Sequence, residues 1–467
     1  MSTKDVREAL EDACPMPFWL DSAVRPVPHP PLLGGDECDL AVVGAGFTGL
    51  WTALLQKERD PSCDVLVLDA VGAGWAASGR NGGFCMATLT HGPSNGIERF
   101  PTEQRRLEEL GRANLDAIGS TVERYGIDCD WQRTGELNVA TRPWQVAELE
   151  EARGVFSRLG LKADFLDREA MQDEVRSPTY LAGLWDRDGC AMVDPARLAW
   201  GLQRACERLG VRFYEGTPVD GLAAHRGGVL LTARGGTVHT RRAVLATNAF
   251  RPLLRRLRLF IVPVYDYALM TERLSAEQRA AIGWRTPVGL ADGGNQFHYY
   301  RLSEDGRILW GGYDAVYYYG SRVAPTLDHR RRTFERLARH FYVTFPQLEG
   351  LRFSHAWGGA IDTCSRFFSF WGRALQGRVA YVLGYTGMGV GASRFGAQVC
   401  LDMLGDGGSE LTRLQMVRST PTPFPPEPLR SAAIELTRLS LARADAHEGR
   451  RNTWLRSLDR FGLGYDS

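Results

Sequence analysis

Lysine is nearly missing from this chain: Lys4, Lys57 and Lys162 are the three among 467 residues, and arginine supplies almost all the positive charge. With 56 basic and 55 acidic residues the formal charge is +1, which excludes a general electrostatic affinity for nucleic acid or for an anionic membrane surface. Nine cysteines form no C-x-x-C pair and no cluster. They read as buried or incidental thiols in a reducing compartment, with the cytoplasm as the default and no metal site expected. No run of eighteen apolar residues is present, and MSTKDVREALEDACPMPFW has charges where a signal peptide needs an apolar core. Neither a membrane span nor secretion is expected, and there is no internal repeat or low-complexity tract.

What remains is a globular composition, 44% hydrophobic and 24% charged, on a chain long enough for two or three domains. After the Pro-rich RPVPHPPLLGG, the segment CDLAVVGAGFTGLWTALLQKERDPSCDVLVLDA reads as strand, tight turn, helix, turn and strand. Residues 102–183 are mostly helical in pattern, interrupted by the alternating GELNVAT. In VDPARLAWGLQRACERLG, Asp194 is placed to cap a helix, Pro195 to open it and Gly210 to lie beyond its end. Between 259 and 313 the extended segments FIVPVYDYALMT, NQFHYYRL and RILWGG fit an antiparallel sheet, and strand, glycine turn and helix return at 379–405.

The expected fold is therefore α/β, α+β overall: a Rossmann-like nucleotide-binding domain with an inserted antiparallel-sheet substrate domain. The first is assembled from 36–90, 185–250 and 351–408, and the second from 91–184 and 251–350. Residues 409–467 form a Pro-rich connector, TPTPFPPEP, and about two helices expected to dock on the protein's own body.

Gly44, Gly46 and Gly49 form G-x-G-x-x-G after a strand and before a helix, and Asp69 ends the next strand twenty residues after Gly49. A pyrophosphate can approach such a turn where the helix N-terminus offers free N–H groups, and the acid is spaced to accept from a ribose hydroxyl. Seven residues beyond Asp69 comes AASGRNGG. This run suits either a solvated surface loop or a second cofactor loop, in which Gly79, Gly82 and Gly83 admit close backbone approach. In the second case Ser78 and Arg80 would meet phosphate oxygens and Asn81 a ring edge.

In order and spacing, CDLAVVGAGFTGL, GWAASGRNGGFC, YYRLSEDGRILWGG, the region of Trp357 and GYTGMGVGASRFGA resemble the D-amino-acid oxidase superfamily of flavoproteins. Within it, SGRNGG, IDCDWQRTGEL and FPQLEGLRF are most similar to the branch of gamma-glutamylputrescine oxidases. The resemblance spans roughly residues 17 to 410. It implies FAD held by Gly44, Gly46, Phe47, Thr48, Gly49, Asp69 and Ala70, by the loop Ser78, Gly79, Arg80, Asn81, Gly82 and Gly83, and by Val219 and Thr247. Gly387, Met388, Gly389 and Val390 would lie at the pyrimidine end of the flavin, where a helix N-terminus stabilises the anionic reduced ring.

The reaction implied is hydride removal from a carbon bearing an amine, giving an imine that water hydrolyses. Positioning carries most of it, and no dedicated acid or base is required. Tyr265, Tyr267, His298, Tyr300 and Trp357 are the expected site lining, aromatic rings suited to an amine. Ordinary core packing explains each of them singly as well. Cys364 is read as a buried inert thiol, so FAD is expected to be non-covalent. Aligned on Trp357 and Gly359, WGGAID puts Ile361 where glycine and D-amino-acid oxidases carry an arginine for the substrate carboxylate.

The leading expectation is an oxidase of a small amine with molecular oxygen or another acceptor. An amino-acid oxidase or dehydrogenase feeding a quinone or protein acceptor stands second. A protein that keeps FAD for structure is the non-enzymatic alternative.

Overall fold

A computed structural model describes residues 3–405, 407–460 and 463. The strands Gly34–Val43, Val65–Leu68, Arg212–Tyr214, Gly236–Leu245 and Val379–Leu383 run parallel in one sheet, with Gly34–Val43 between Gly236–Leu245 and Val65–Leu68. Leu40 to Val43 and all of Val65–Leu68 are buried, because helices or further chain cover both faces of these strands. Antiparallel additions finish the edges: Phe370–Ala374 on Val379–Leu383, and the hairpin Val219–His225/Gly228–Ala233 on Gly236–Leu245.

The helix Phe47–Arg59 follows the first strand directly, and Gly389–Leu404 follows the last parallel strand. Pro195–Arg208 begins where Asp194 accepts the Arg197 N–H at 2.9 Å, as the capping pattern requires. These helices share a core that includes Trp51, Leu54, Leu202, Phe395 and Val399.

A second, nine-stranded sheet is antiparallel throughout except where Gly289–Asp292 runs parallel to Glu136–Ala140. Its spine is Val262–Thr271, paired on one side with Ile308–Gly312 and on the other with Phe353–Thr363. The strand Phe353–Thr363 falls inside 351–408, the stretch assigned from sequence to the nucleotide domain. Pairing from Val262↔Thr363 to Thr271↔Phe353, with one register shift at Met270/Thr271, makes it a strand of the second sheet instead. Likewise Trp185 and Asp186, just past the expected boundary at 185, end the second-sheet strand Ala182–Asp186.

The helix Arg331–Thr344 covers one face of this sheet, through Phe334 against Tyr267 and Phe341 against Trp310. The opposite face meets the nucleotide domain through a small core of Trp19, Leu20, Trp200, Ala268, Met270, Leu309 and Trp357. The C-terminal helix Leu429–Ala446 docks on the second sheet beside its edge strand Val316–Tyr317 and at the loop before His298–Leu302, where Asp445 accepts from the Asn295 and Gln296 backbone at 2.9 Å. Thr453–Arg460 packs on that helix through Trp454, whose Nε1 donates to Thr437 Oγ1 at 3.0 Å. Among the described residues no helix is long and apolar enough to cross a membrane.

Candidate active site

The fingerprint turn is tight for reasons internal to the protein. At Gly44 φ is +108°, and a Cβ there would lie 2.5 Å from the Ala246 carbonyl oxygen, so only glycine lets the neighbouring parallel strand end so close. A Cβ at Gly49 would lie 1.8 Å from the Gly44 oxygen. Gly46 caps the helix Phe47–Arg59, and Ser78 Oγ accepts the Phe47 N–H at 2.9 Å. The Thr48 hydroxyl is committed, donating at 2.8 Å to Tyr385 in the turn that leads into the late helix Gly389–Leu404. That bond sets two helix N-termini side by side at one edge of the parallel sheet.

Asp69 is buried beneath this turn. Its Oδ2 accepts from Ala45 N at 2.7 Å, and its Oδ1 from Val71 N at 2.8 Å and Gly72 N at 2.9 Å. Burial raises its pKa, these backbone donors oppose the shift, and neighbouring Glu215 adds to it. Glu215 repeats the pattern, accepting from His29 N and Ala73 N.

At the late turn, Gly384 donates its N–H to Asp362 Oδ2 at 2.6 Å, and a Cβ there would meet Cys364 Sγ at 2.9 Å. Asp362 is buried, and burial pushes its pKa up to about 7 against the pull of the surrounding backbone N–H groups. Gly387 has φ +90° with nothing within 4 Å of its would-be Cβ, and Met388 caps Gly389–Leu404 without a side-chain bond. Cys364 is buried, its Sγ 3.1 Å from the Phe368 oxygen and 3.5 Å from that of Gly384.

A long dinucleotide fits this edge. Gly44, Gly46, Ala246, Thr247, Thr386, Gly387, Met388 and Gly389 are open to solvent in some degree, whereas Val42, Leu68, Leu245 and Leu383 just below them are buried. The result is a trench along the C-terminal ends of the parallel strands, with two helix N-termini directed at it. Val219 is half-buried at the start of its strand. The described residues contain a Cys14, Asp21 and His355 cluster with metal-ligand atoms, but it lies at the N-terminal segment rather than on the trench.

The run AASGRNGG is bare chiefly because protein presses on it. A Cβ at Gly79 would lie 2.2 Å from the Gly74 oxygen, at Gly82 2.7 Å from the Tyr299 ring, and at Gly83 2.2 Å from the Val193 oxygen. Asn81 braces its own loop, donating to Ala77 O and Ser78 O and accepting from Gly83 N. Arg80 was expected to meet phosphate. Its Nη1 instead donates to Asp328 Oδ2 at 2.7 Å and Gly358 O at 3.1 Å, while Nε and Nη2 donate to Trp75 O. An arginine has five N–H groups, and four are spent here.

The expected substrate lining divides between the two faces of the second sheet. Tyr265, Tyr267, His298 and Tyr300 point away from the trench, into the core under the helix Arg331–Thr344, and are corrected to structural residues. Tyr265 OH lies 3.1 Å from Ala324 N, and Tyr267 OH 2.8 Å from Tyr318 OH. His298 Nδ1 is 2.7 Å from Asp292 and Nε2 2.9 Å from His340, and the Tyr300 hydroxyl accepts from Tyr180 at 2.9 Å. Trp357 alone of the five faces the nucleotide domain, its Nε1 donating to Arg80 O at 2.8 Å.

The strand phase was read one residue out. Aromatic side chains occur on both faces of these strands, so aromatic content does not show which face is which.

The set facing the nucleotide domain is Val264 and Asp266, Tyr299, Gly359 and Ile361, each partly open, whereas Tyr265, Tyr267, His298 and Tyr300 on the other face are buried. Register confirms it, with Val264↔Ile361 and Asp266↔Gly359 paired across the strands. Tyr299 donates to Asp266 Oδ2 at 2.5 Å and packs on Phe84 of the loop strand. Burial pushes the Asp266 pKa up to about 6 despite that bond. Asp266 and Tyr299 were not singled out from sequence, although an acid inside the apolar run VPVYDYALM was the available signal that this position faces something other than core.

Arg301 is fully buried on this face. It donates to Val193 O at 2.6 Å, Leu302 O at 3.1 Å and Asp130 at 3.2 Å.

Parallel sheet, glycine turns and two helix N-termini at the strand ends define a dinucleotide-binding fold. A family model described as FAD dependent oxidoreductase matches residues 39–403, and this chain belongs to that family. It is 32% identical over 397 residues to gamma-glutamylputrescine oxidoreductase of Escherichia coli strain K12, covering 83% of this chain and 88% of that protein. It is 27% identical over 398 residues to the Haemophilus influenzae protein described as "Probable oxidoreductase OrdL", with the same coverage of both chains. Among solved structures, glycine oxidase from Geobacillus kaustophilus superposes with a TM-score of 0.67 at 19% identity, over 82% of this chain and 99% of that one. The protein is thus an FAD-dependent oxidoreductase, and its mixed parallel and antiparallel architecture is the one expected from sequence.

Proposed function

We propose that this enzyme oxidises the C–N bond of a small amine that carries no carboxylate on the reacting carbon, with molecular oxygen as electron acceptor. Bound FAD supplies the two-electron oxidant, and the imine released is hydrolysed by water to an aldehyde or ketone and an amine. The relative in Escherichia coli is named for an amine substrate, which supports the reading.

The observation that carries it is the charge of the cleft face. Ile361, paired with Val264, presents a hydrocarbon where the superfamily's carboxylate clamp would stand, and Asp266 presents an acid on the adjacent strand pair. Arg301, on the same face, is locked beneath Gly83 by two carbonyls and Asp130. An α-carboxylate entering here would be desolvated without a fork to receive it.

The chain's own residues act by placement. Gly44 to Gly49, Asp69, Ala70, Ser78, Gly79, Asn81 to Gly83, Val219 and Thr247 are proposed to hold the dinucleotide non-covalently, with Arg80 bracing the loop through Asp328 and with Gly387 to Val390 at the flavin's pyrimidine end. Trp357 fixes the loop at Arg80 from the sheet side, so the loop keeps one distance from the substrate cleft. No proton-transfer residue is required, since an amine that binds as its ammonium loses one proton to water and reacts in its neutral form.

Leu309, in the apolar core between the domains, occupies the strand where several superfamily oxidases carry a lysine that assists oxygen. Without that cation the reaction with oxygen should be slow. With all nine cysteines unpaired, a reducing compartment such as the cytoplasm is the proposed location.

A second reading, an amino-acid oxidase or dehydrogenase, draws on Arg80, whose side chain crosses Gly359 at the cleft. It requires that guanidinium to leave Asp328. Anaerobic flavin reduction by a panel of amines and α-amino acids, followed by peroxide measurement in air, tests both readings.

A further inference from the structure

We infer that Asp266 is the residue that binds the ammonium group of the substrate, with Tyr299 fixing its carboxylate in the binding orientation; this rests on the amine reading above. Asp266 sits mid-strand in an apolar run, on the face that meets the nucleotide domain, and it is partly open to the cleft. Its cross-strand neighbour is Gly359, and Gly311 lies under the Tyr299 ring, where a Cβ would come within 2.5 Å of Cζ. The two glycines leave room for the groups that flank the acid, the Arg80 alkyl chain over Gly359 and the Tyr299 ring over Gly311.

The Tyr299 hydroxyl donates to Oδ2 at 2.5 Å, the Tyr267 and Gly312 backbone N–H groups also hydrogen-bond the carboxylate, and the Tyr299 ring is itself wedged between Gly82, Gly311 and Phe84, so the acid is oriented by neutral donors alone. Among the described residues Asp266 makes no ion pair. The guanidinium nearest in register, that of Arg80 over Gly359, is paired with Asp328.

A carboxylate kept deep in a protein without a cation is costly, and natural chains rarely retain one where nothing answers it. Here the acid is half-buried on the face that meets the nucleotide domain, all its hydrogen-bond donors are neutral, and the cation it lacks is one that arrives from solution. The same charge opposes any substrate carboxylate, so one residue accounts for both acceptance and rejection.

The test is the rate of anaerobic flavin reduction in the FAD-loaded enzyme. It is measured against concentration of 1,4-diaminobutane, n-butylamine, glycine and D-alanine, so that the saturation constant and the limiting rate separate. Asp266→Asn should raise the amine saturation constant at least about 10-fold, the scale of a lost hydrogen bond to a charged group. Its limiting rate should change less than about 3-fold and its flavin content should hold, because the residue binds substrate and performs no chemistry. Asp266→Glu should restore part of the affinity.

If Asp266→Asn does not load FAD, Tyr299→Phe decides. It should weaken amine binding, and wild-type saturation by the amines would overturn the inference. Wild-type enzyme reduced by amines, together with an Asp266→Asn variant of unchanged saturation constant, sinks the inference and spares the proposed function. Wild-type enzyme reduced only by glycine or D-alanine sinks both.

Discussion

Replacing Asp69 with alanine should damage the protein before any cofactor is considered. The carboxylate receives three backbone N–H groups, from Ala45, Val71 and Gly72, at 2.7 to 2.9 Å in a buried position. Each hydrogen bond to a charged group contributes about 1.5–3 kcal/mol, and each donor left unpaired in the interior costs about as much. Against this, removal of the acid relieves the burial that raises its pKa, so the simple sum is too large. A loss of about 3–5 kcal/mol, the scale for breaking a buried charged contact, is the expected outcome for the apoprotein.

The Asp69→Asn variant keeps one acceptor oxygen and should lose about half as much. Both should also lose FAD, because the acid is spaced for a ribose hydroxyl and the same bonds shape the turn on which the pyrophosphate would lie. The assays are denaturant unfolding of flavin-free protein, and the flavin band per mole of protein after purification. Alanine variants with full flavin and unchanged apoprotein stability would refute the reasoning. Lost stability with unchanged FAD affinity would show that Asp69 is a strut of the turn and no ligand.

Three further outcomes are expected. Tyr300→Phe removes the acceptor of the Tyr180 hydroxyl and should lower stability by about 1 kcal/mol while leaving flavin reduction unchanged; a kinetic defect at full stability would return Tyr300 to the site. Arg301→Ala breaks a buried pair with Asp130 and two carbonyl bonds, so unfolding should show a loss of about 3–5 kcal/mol, and relative rates among amines and amino acids should hold. Asp362, whose pKa stands at about 7 in the folded chain against 3.8 ordinarily, stays protonated longer when folded; its contribution therefore falls as pH rises from about 4 to about 7. Asp362→Asn should flatten that part of the stability profile, by an amount on the order of a few kcal/mol read from unfolding at several pH values.

Much of the nucleotide half was legible in the sequence because local rules and tertiary demands coincide there. LAVV and VLVL are apolar runs between turn residues, and G-x-G-x-x-G needs its glycines both for a ligand and for the close approach of the Ala246 carbonyl. The cap at Asp194 was readable for the same reason.

The second sheet's existence and antiparallel style were legible, but its phase was not. Tyr265 and Tyr267 lie on one face and Asp266 on the other, and the side facing the flavin domain is decided by contacts with Phe84 and Arg80, more than 180 residues away in sequence. Phe353–Thr363 was misassigned for a related cause: its partner strand lies about 90 residues earlier, and nothing local marks the pairing. Arg80 could not have been resolved from sequence either, since Asp328 reaches it from the far side of the inserted sheet.

The central claim is that the cleft accepts an amine and rejects an α-carboxylate. Its most direct test is the limiting rate and saturation constant of anaerobic flavin reduction for n-butylamine and 1,4-diaminobutane beside glycine and both alanine enantiomers, on one enzyme preparation. The account predicts that at least one of the amines bleaches the flavin with kcat/KM at least about 100-fold above any of the amino acids, the scale of a lost bidentate pair in a buried site. An α-amino acid that reduces the flavin best, with Ile361 and Asp266 in place, would contradict it.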